Sequence, residues 1–325
     1  MNAIAHVAIH SSQFPENVRR DLLESLRSRK IAHKFHYDSV KQTQKWLALH
    51  QQFSPSRNDN DCRAIYEQSF KAVVKKLKSK RVHLIGLGCG GGQKDTRLVK
   101  LLKQAGKEVF YTPCDVAVAM TLVARQTALA VIPEGNCFPL VCDLERAGRL
   151  PSVFNQPIAG KVARIITFFG MIPNSEPQVI LPKLASLVGP KDILLFSANL
   201  APGENYDTGV KKILPQYDNI PTQDWLLTFL LDLGIEKGDG KLFFEIEDTG
   251  GLKRVVANFN FKRSRRVGIE DKKFNFKPDD KLRLFFSYRY TPKRVHKVLS
   301  THKLEIDDQW ITKSGEEGVF LCCKS

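Results

Sequence analysis

Arg81-Val82-His83-Leu84-Ile85-Gly86-Leu87-Gly88-Cys89-Gly90-Gly91-Gly92 is the stretch on which the fold turns. It begins as a largely apolar run, as in a strand buried on both faces, and opens into a glycine-rich turn. Asp95-Thr96-Arg97-Leu98-Val99-Lys100-Leu101-Leu102 then reads as a helix, with an acid near its start and Gly106 past its end. Glycines between a strand and a helix let the backbone pass close to a ligand seated at the helix N-terminus. Several nucleotide-binding classes share that arrangement, and some such loops are only tight turns. A P-loop would close on Gly-Lys-Ser/Thr, but Gln93-Lys94-Asp95 stands there, so phosphate cradling is not expected.

Downstream, strands and helices alternate. Val109–Asp115, Pro139–Leu144, Arg164–Gly170 and Asp192–Leu200 read as strands, and 116–131 and 178–189 as helices. That alternation predicts a parallel sheet with helices on both faces. Upstream, apolar spacing predicts helices over 15–30, around Trp46, Leu47 and Leu49, and over 61–78. The alternation breaks at 201–209. A helix over 222–234 follows, then two strands around Asp248-Thr249-Gly250-Gly251, a strand over 279–290, a helix over 291–304 and a final strand pair over 304–312 and 318–325. The expected fold class is α/β: a Rossmann-like core over 61–200 and 288–325, and an inserted α+β substrate-binding domain over 13–60 and 201–287.

Two acids sharpen the glycine turn. The second strand ends in Asp115, where a carboxylate can accept both ribose hydroxyls of a nucleoside. The third ends in Asp143-Leu144, an acid for an exocyclic amine beside an apolar side chain for the adenine face. Helix capping is the alternative role for each acid. Both NAD-binding and methyl-donor-binding folds use the first acid; the pair favours S-adenosylmethionine.

The remaining composition narrows the class. The chain has 325 residues, 42% hydrophobic and 26% charged, which excludes a disordered or fibrous protein. No uncharged apolar run approaches the roughly 18 residues of a membrane span, and Met1–Ser12 lacks the basic flank and apolar core of a signal peptide. A cytoplasmic protein without membrane association is expected. The seven cysteines form no CxxC pair and are read as reduced. His33 and His36 lack a third ligand nearby, so no metal site is expected. The net charge is +16, and residues 251–300 alone carry 15 Lys/Arg against 4 Asp/Glu. Such a region suits nucleic acid or the rim of a pocket for an anionic ligand.

These motifs together resemble the histidine-specific, SAM-dependent methyltransferases typified by the histidine Nα-methyltransferase of ergothioneine biosynthesis. Lys34-Phe35-His36-Tyr37-Asp38 is similar to the family's Lys-aromatic-x-Tyr-Asp. Phe53-Ser54-Pro55-Ser56-Arg57 is similar to its Tyr-Tyr-Pro-Thr-Arg, and Gly86-Leu87-Gly88-Cys89-Gly90 with Lys94 to its Glu-Leu-Gly-Ser-Gly and following lysine. Pro113-Cys114-Asp115-Val116, Cys142-Asp143-Leu144, Phe168-Phe169-Gly170 closing on Asn174, Tyr217-Asp218 and 283–290 continue the match.

The resemblance implies cofactor contacts from Gly88, Gly90, Lys94, Asp115, Asp143 and Leu144, with Tyr37 near the transferred methyl group as the catalytic residue. It implies substrate contacts from Phe53, Asn174, Tyr217 and Ser287, with Asn174 and Tyr217 holding an amino acid's carboxylate. The family's imidazole-reading glutamate, however, falls on Phe285. Ser54 replaces a tyrosine, and Asp224-Trp225-Leu226 replaces an asparagine-bearing helix. Losing a buried carboxylate that pairs with a polar ring costs roughly 2–4 kcal/mol of binding.

The expected activity is therefore SAM-dependent N-methylation of a small amine or amino-acid-like molecule other than free histidine, by a monomer. Two alternatives stand beside it: an RNA methyltransferase gripping phosphates through 251–300, and a SAM-binding protein without catalysis.

Overall fold

The computed structural model describes residues 4–53, 58–155 and 158–325. The resemblance at Ser54, Pro55, Ser56 and Arg57 falls outside the described residues.

The alternating segments build an eight-stranded sheet. Its strands are β1 (Ala8–Ile9), β2 (Arg81–Leu87), β3 (Glu108–Asp115), β4 (Leu140–Val141), β5 (Ala163–Phe168), β6 (Ile193–Asn199), β12 (Leu304–Ile311) and β13 (Glu317–Lys324). The order is β1-β4-β3-β2-β5-β6-β13-β12. β1 to β6 pair in parallel, and β13 is antiparallel to both β6 and β12. The α/β class with a parallel Rossmann-like sheet is the one observed.

The apolar run of β2 is buried at every position except Arg81 because helices cover both sheet faces. On one side, α3 (Asn60–Lys76), α4 (Gln93–Gln104) and α5 (Val118–Leu129) pack Tyr66, Phe70, Leu98, Leu102 and Ala128 against Val82, Leu84 and Ile165. On the other, α7 (Pro177–Leu187), which follows the single turn α6 (Leu150–Val153), packs Ile180, Leu181 and Leu184 against Ile85, Ile166 and Phe196.

No described strand between β6 and β12 joins that sheet. Strands β7 (Gly240–Thr249), β8 (Leu252–Phe261) and β11 (Lys281–Tyr288) form a separate antiparallel sheet ordered β11-β8-β7. The β7–β8 turn lies at Gly250-Gly251, both with positive φ as a tight hairpin turn requires. Helices α1 (Pro15–Ser28), α2 (Val40–Phe53) and α9 (Ile220–Asp232) complete a third core, containing Leu26, Phe35, Trp225, Phe229, Phe259 and Leu284.

Some elements differ from the sequence reading. The strand expected over 139–144 keeps only two paired residues. Its ladder ends because the Asp143 amide donates to Ser12 Oγ at 3.0 Å instead of to a neighbouring strand. The hairpin β9 (Arg265–Ile269) and β10 (Lys272–Phe276), the helix α8 (Tyr206–Ile213) and β1 carry too little periodicity to be read locally. The helix expected over 291–304 is the shorter α10 (Pro292–Ser300). No helix among the described residues is long and apolar enough to cross a membrane.

Candidate functional site

A cavity of about 1390 Å3 opens at the carboxyl ends of β2, β3, β5 and β6. Single small-ligand sites run to roughly 300–1,000 Å3, so this one has room for two molecules. All twelve residues singled out in the sequence line it: Tyr37, Phe53, Gly88, Gly90, Lys94, Asp115, Asp143, Leu144, Asn174, Tyr217, Phe285 and Ser287.

The glycine turn forms its floor. Gly88 has φ +62°, and a Cβ there would strike the Met171 side chain. Gly86 leaves room for Asp95, whose carboxylate occupies the space a side chain at 86 would fill. Asp95 accepts hydrogen bonds from Tyr111 (2.8 Å) and Thr167 (2.7 Å), tying the first turn of α4 to β3 and β5. Burial raises its pKa to about 6 despite those two donors.

Asp115 is held on both oxygens, by the Gly90 amide at 2.9 Å and the Ala117 amide at 3.1 Å. Burial raises its pKa, and backbone donors oppose the rise. Each oxygen keeps a second lone pair for a ligand hydroxyl. Asp143 takes the capping role. Its Oδ1 caps the following turn through the Glu145 (3.0 Å) and Arg146 (3.2 Å) amides, and its Oδ2 meets the Lys34 ammonium at 3.1 Å. Lys34 also pairs with the fully buried Asp21 of α1, so a chain of charges joins the N-terminal helix to this edge of the cavity.

Lys94, in the first turn of α4, reaches the Tyr66 hydroxyl of α3 (2.7 Å) and Glu317 of β13 (3.7 Å). Tyr37 packs against Trp46 and Trp225, with centroids 5.9 and 5.6 Å apart. No described residue hydrogen-bonds its hydroxyl, and burial together with the nearby Asp115 charge holds that hydroxyl protonated.

The far end is aromatic and polar. Phe285 is 7% exposed and packs on His33 (5.0 Å), Tyr217 (6.0 Å) and Trp225 (6.0 Å), so it both closes the third core and walls the cavity. Burial lowers His33 to a pKa of about 3, which keeps this wall uncharged. Ser287, buried beside it, accepts from the Tyr217 hydroxyl at 2.8 Å. Asn174 ends the short helical turn Ile172–Asn174 after β5. Phe53 lies at the exposed end of α2, on the rim.

Sequence reading missed Trp46, which approaches Gly90, and Arg289, which bonds Tyr217. Arg289 continues the alternation Phe285, Ser287, so a period-two count along the strand would have found it. Trp46 carries no local signal, because its helix reaches the glycine loop only through the tertiary fold. Among the described residues no cluster of three or more His, Cys, Asp or Glu could hold a metal ion.

The geometry fits S-adenosylmethionine: a glycine floor that a Cβ would obstruct, and two fixed carboxylates at successive strand ends. Among solved structures, the chain is similar to the CcbJ methyltransferase from Streptomyces caelestis, at 11% identity over 80% of this chain and 88% of that one, TM-score 0.40. It is similar also to CalS10, an amino pentose methyltransferase from Micromonospora echinaspora, at 12% identity over 80% and 92%, TM-score 0.36. A third is the 1,6-didemethyltoxoflavin-N1-methyltransferase of Burkholderia thailandensis, at 10% identity over 87% of each chain, TM-score 0.39. No curated protein matches the sequence. Residues 18–209 match the family model described as histidine-specific methyltransferase, SAM-dependent. With well over half of its length inside that match, the chain belongs to the histidine-specific, SAM-dependent methyltransferases.

Proposed function

We propose that this SAM-dependent methyltransferase N-methylates a small amine or amino-acid-like molecule other than free histidine. One observation carries the reading: a single cavity, large enough for cofactor and acceptor together, presents Phe285 where the resemblance implies an imidazole-reading carboxylate. His33, Trp225 and Tyr217 pack on that ring, so its immediate surroundings are aromatic.

S-adenosylmethionine, when bound, supplies an electrophilic methyl group on a sulfonium. Asp115 would accept the ribose hydroxyls, and Asp143 with Leu144 would hold the adenine. Gly88 and Gly90 would allow close backbone approach, and Lys94 would lie at the opposite end of the cofactor site. Methyl transfer to nitrogen is an in-line displacement, so alignment is the main demand on the protein. The neutral Tyr37 hydroxyl suits it: its oxygen can accept an N–H of the attacking amine and leave the nitrogen lone pair free. The second sheet, with α1, α2 and α9, would supply the acceptor side, and the protein would act as a monomer.

The test is a labelled-methyl screen of amines and amino acids, with free histidine included. Several non-imidazole amines should turn over faster than histidine; efficient use of histidine rejects the role given to Phe285. No transfer to any member would favour a SAM-binding protein without catalysis.

A further inference from the structure

Lys34 lines the cavity beside Asp143 and is only 8% exposed. Its ammonium bridges two carboxylates: Asp21 of α1, and Asp143 after β4 at 3.1 Å. Asp21 is fully buried, and Arg146 approaches its other oxygen at 3.4 Å. Taking an ammonium out of water is unfavourable unless opposite charges meet it, and the two acids do so here. Asp143 is fixed as well, because its amide donates to Ser12 Oγ and its Oδ1 is held by the Glu145 and Arg146 amides. Both members of the pair are therefore in place before any ligand arrives, which spares the cost of ordering them on binding.

The arrangement leaves a donor and an acceptor side by side. An ammonium has three N–H donors, and two carboxylates take at most two of them. No other described group accepts from Lys34. Asp143 Oδ2 keeps a lone pair next to the same ammonium. The two charges offset each other, so this edge suits a neutral group better than a free cation or anion. Its complement is a planar ring edge with an N–H donor next to a nitrogen acceptor. Adenine offers that pattern on both sides of its exocyclic amine, with N1 on one and N7 on the other.

We infer that Lys34 reads the adenine of S-adenosylmethionine together with Asp143. Asp143 accepts from the exocyclic amine, and Lys34 donates to a ring nitrogen beside it. Lys34 is then a specificity residue for the cofactor, and Asp21 is the residue that positions it. The inference rests on the proposed placement of adenine at Asp143, and deepens it by adding a second point of contact from the N-terminal segment.

The experiment is calorimetric titration of the full chain with S-adenosylhomocysteine and its 1-deaza and 7-deaza analogues, on wild type, Lys34→Met and Asp21→Asn/Lys34→Met. Wild type should bind one deaza analogue roughly tenfold or more weakly than the parent. Lys34→Met should weaken the parent by about the same factor and that analogue little, so the difference between them closes. The double variant removes both charges of the buried pair and should close the difference in the same way, which keeps the test decisive where the single variant does not fold. If wild type binds both analogues as tightly as the parent, or if the difference persists in either variant, Lys34 does not read the base. Asp143→Ala separates the two readings. Unchanged affinity for the parent in that variant rejects the adenine placement and the Lys34 contact together. Weakened affinity there, with no deaza difference in wild type, rejects the Lys34 contact alone.

Discussion

The Gly90 amide donates to Asp115 Oδ2 at 2.9 Å, so the glycine turn is clamped to the end of the second core strand. Asp115→Ala removes that clamp together with the proposed acceptor for a ribose. A charge-assisted hydrogen bond contributes about 1.5–3 kcal/mol, which is roughly a 10- to 100-fold change in affinity. Calorimetric titration with S-adenosylmethionine should show a loss of that size, and unchanged affinity would reject the ribose role.

Gly88→Ala addresses the floor of the site. A residue with a Cβ in the left-handed region costs about 1–2 kcal/mol, and here the added carbon also meets Met171. A lower melting temperature and a weaker cofactor-induced shift are both expected. An alanine variant that binds cofactor like wild type would remove the glycine turn from the site.

Tyr37→Phe removes only the hydroxyl from a ring fixed between Trp46 and Trp225. The expected result is a fall in kcat of about tenfold or more with little change in cofactor affinity, since positioning acts on the displacement step. Equal kcat values for the two proteins would show that the hydroxyl has no part in alignment.

Stability should depend on pH through Asp95. Its folded pKa of about 6 lies above the unfolded 3.8, so the unfolded chain gives up its proton first as pH rises. Stability contributed by the protonated form is present below about pH 4 and is lost by pH 6, on the order of 3 kcal/mol. Asp95→Asn keeps a hydrogen-bonding amide without the charge. Its melting temperature relative to wild type should therefore improve between pH 4 and pH 7, and a constant difference would contradict the shift.

The basic region bears on the nucleic-acid alternative. Lys253 pairs with Asp207 and Asp248, Arg254 with Glu176 and Glu247, and Arg263 and Arg265 with Asp239. Phe259, Phe261 and Phe276 are buried in the third core, and Phe261 stacks on Phe276 with centroids 4.5 Å apart. Those four charges are already paired and those rings already packed, which takes them away from phosphates and bases. Weak binding to single-stranded RNA at physiological salt is expected, and tight binding falling steeply with salt would restore that alternative.

What was legible along the chain follows from local physics. The run from Arg81 to Gly92 carries a strand, a turn and a helix start in one window, because burial on both faces needs continuous apolar residues and positive φ favours glycine. Asp115 and Asp143 could be located by counting to the ends of their strands. The β9–β10 hairpin could not, because its alternation is short and its interior residues, Val267 and Phe276, are buried against partners distant in sequence.

The sequence by itself thus determined the α/β order, the glycine turn, the two acids and the family, all of which depend on residues close together along the chain. Only the tertiary structure decided that Lys34 meets Asp143, that Lys94 reaches Tyr66 and Glu317, and that Arg289 bonds Tyr217 behind Ser287 with no described carboxylate beside it. The reason is physical. Whether a buried charge finds a counter-ion, and which way a hydroxyl donates, depends on how three separate cores pack together, and no local periodicity encodes that.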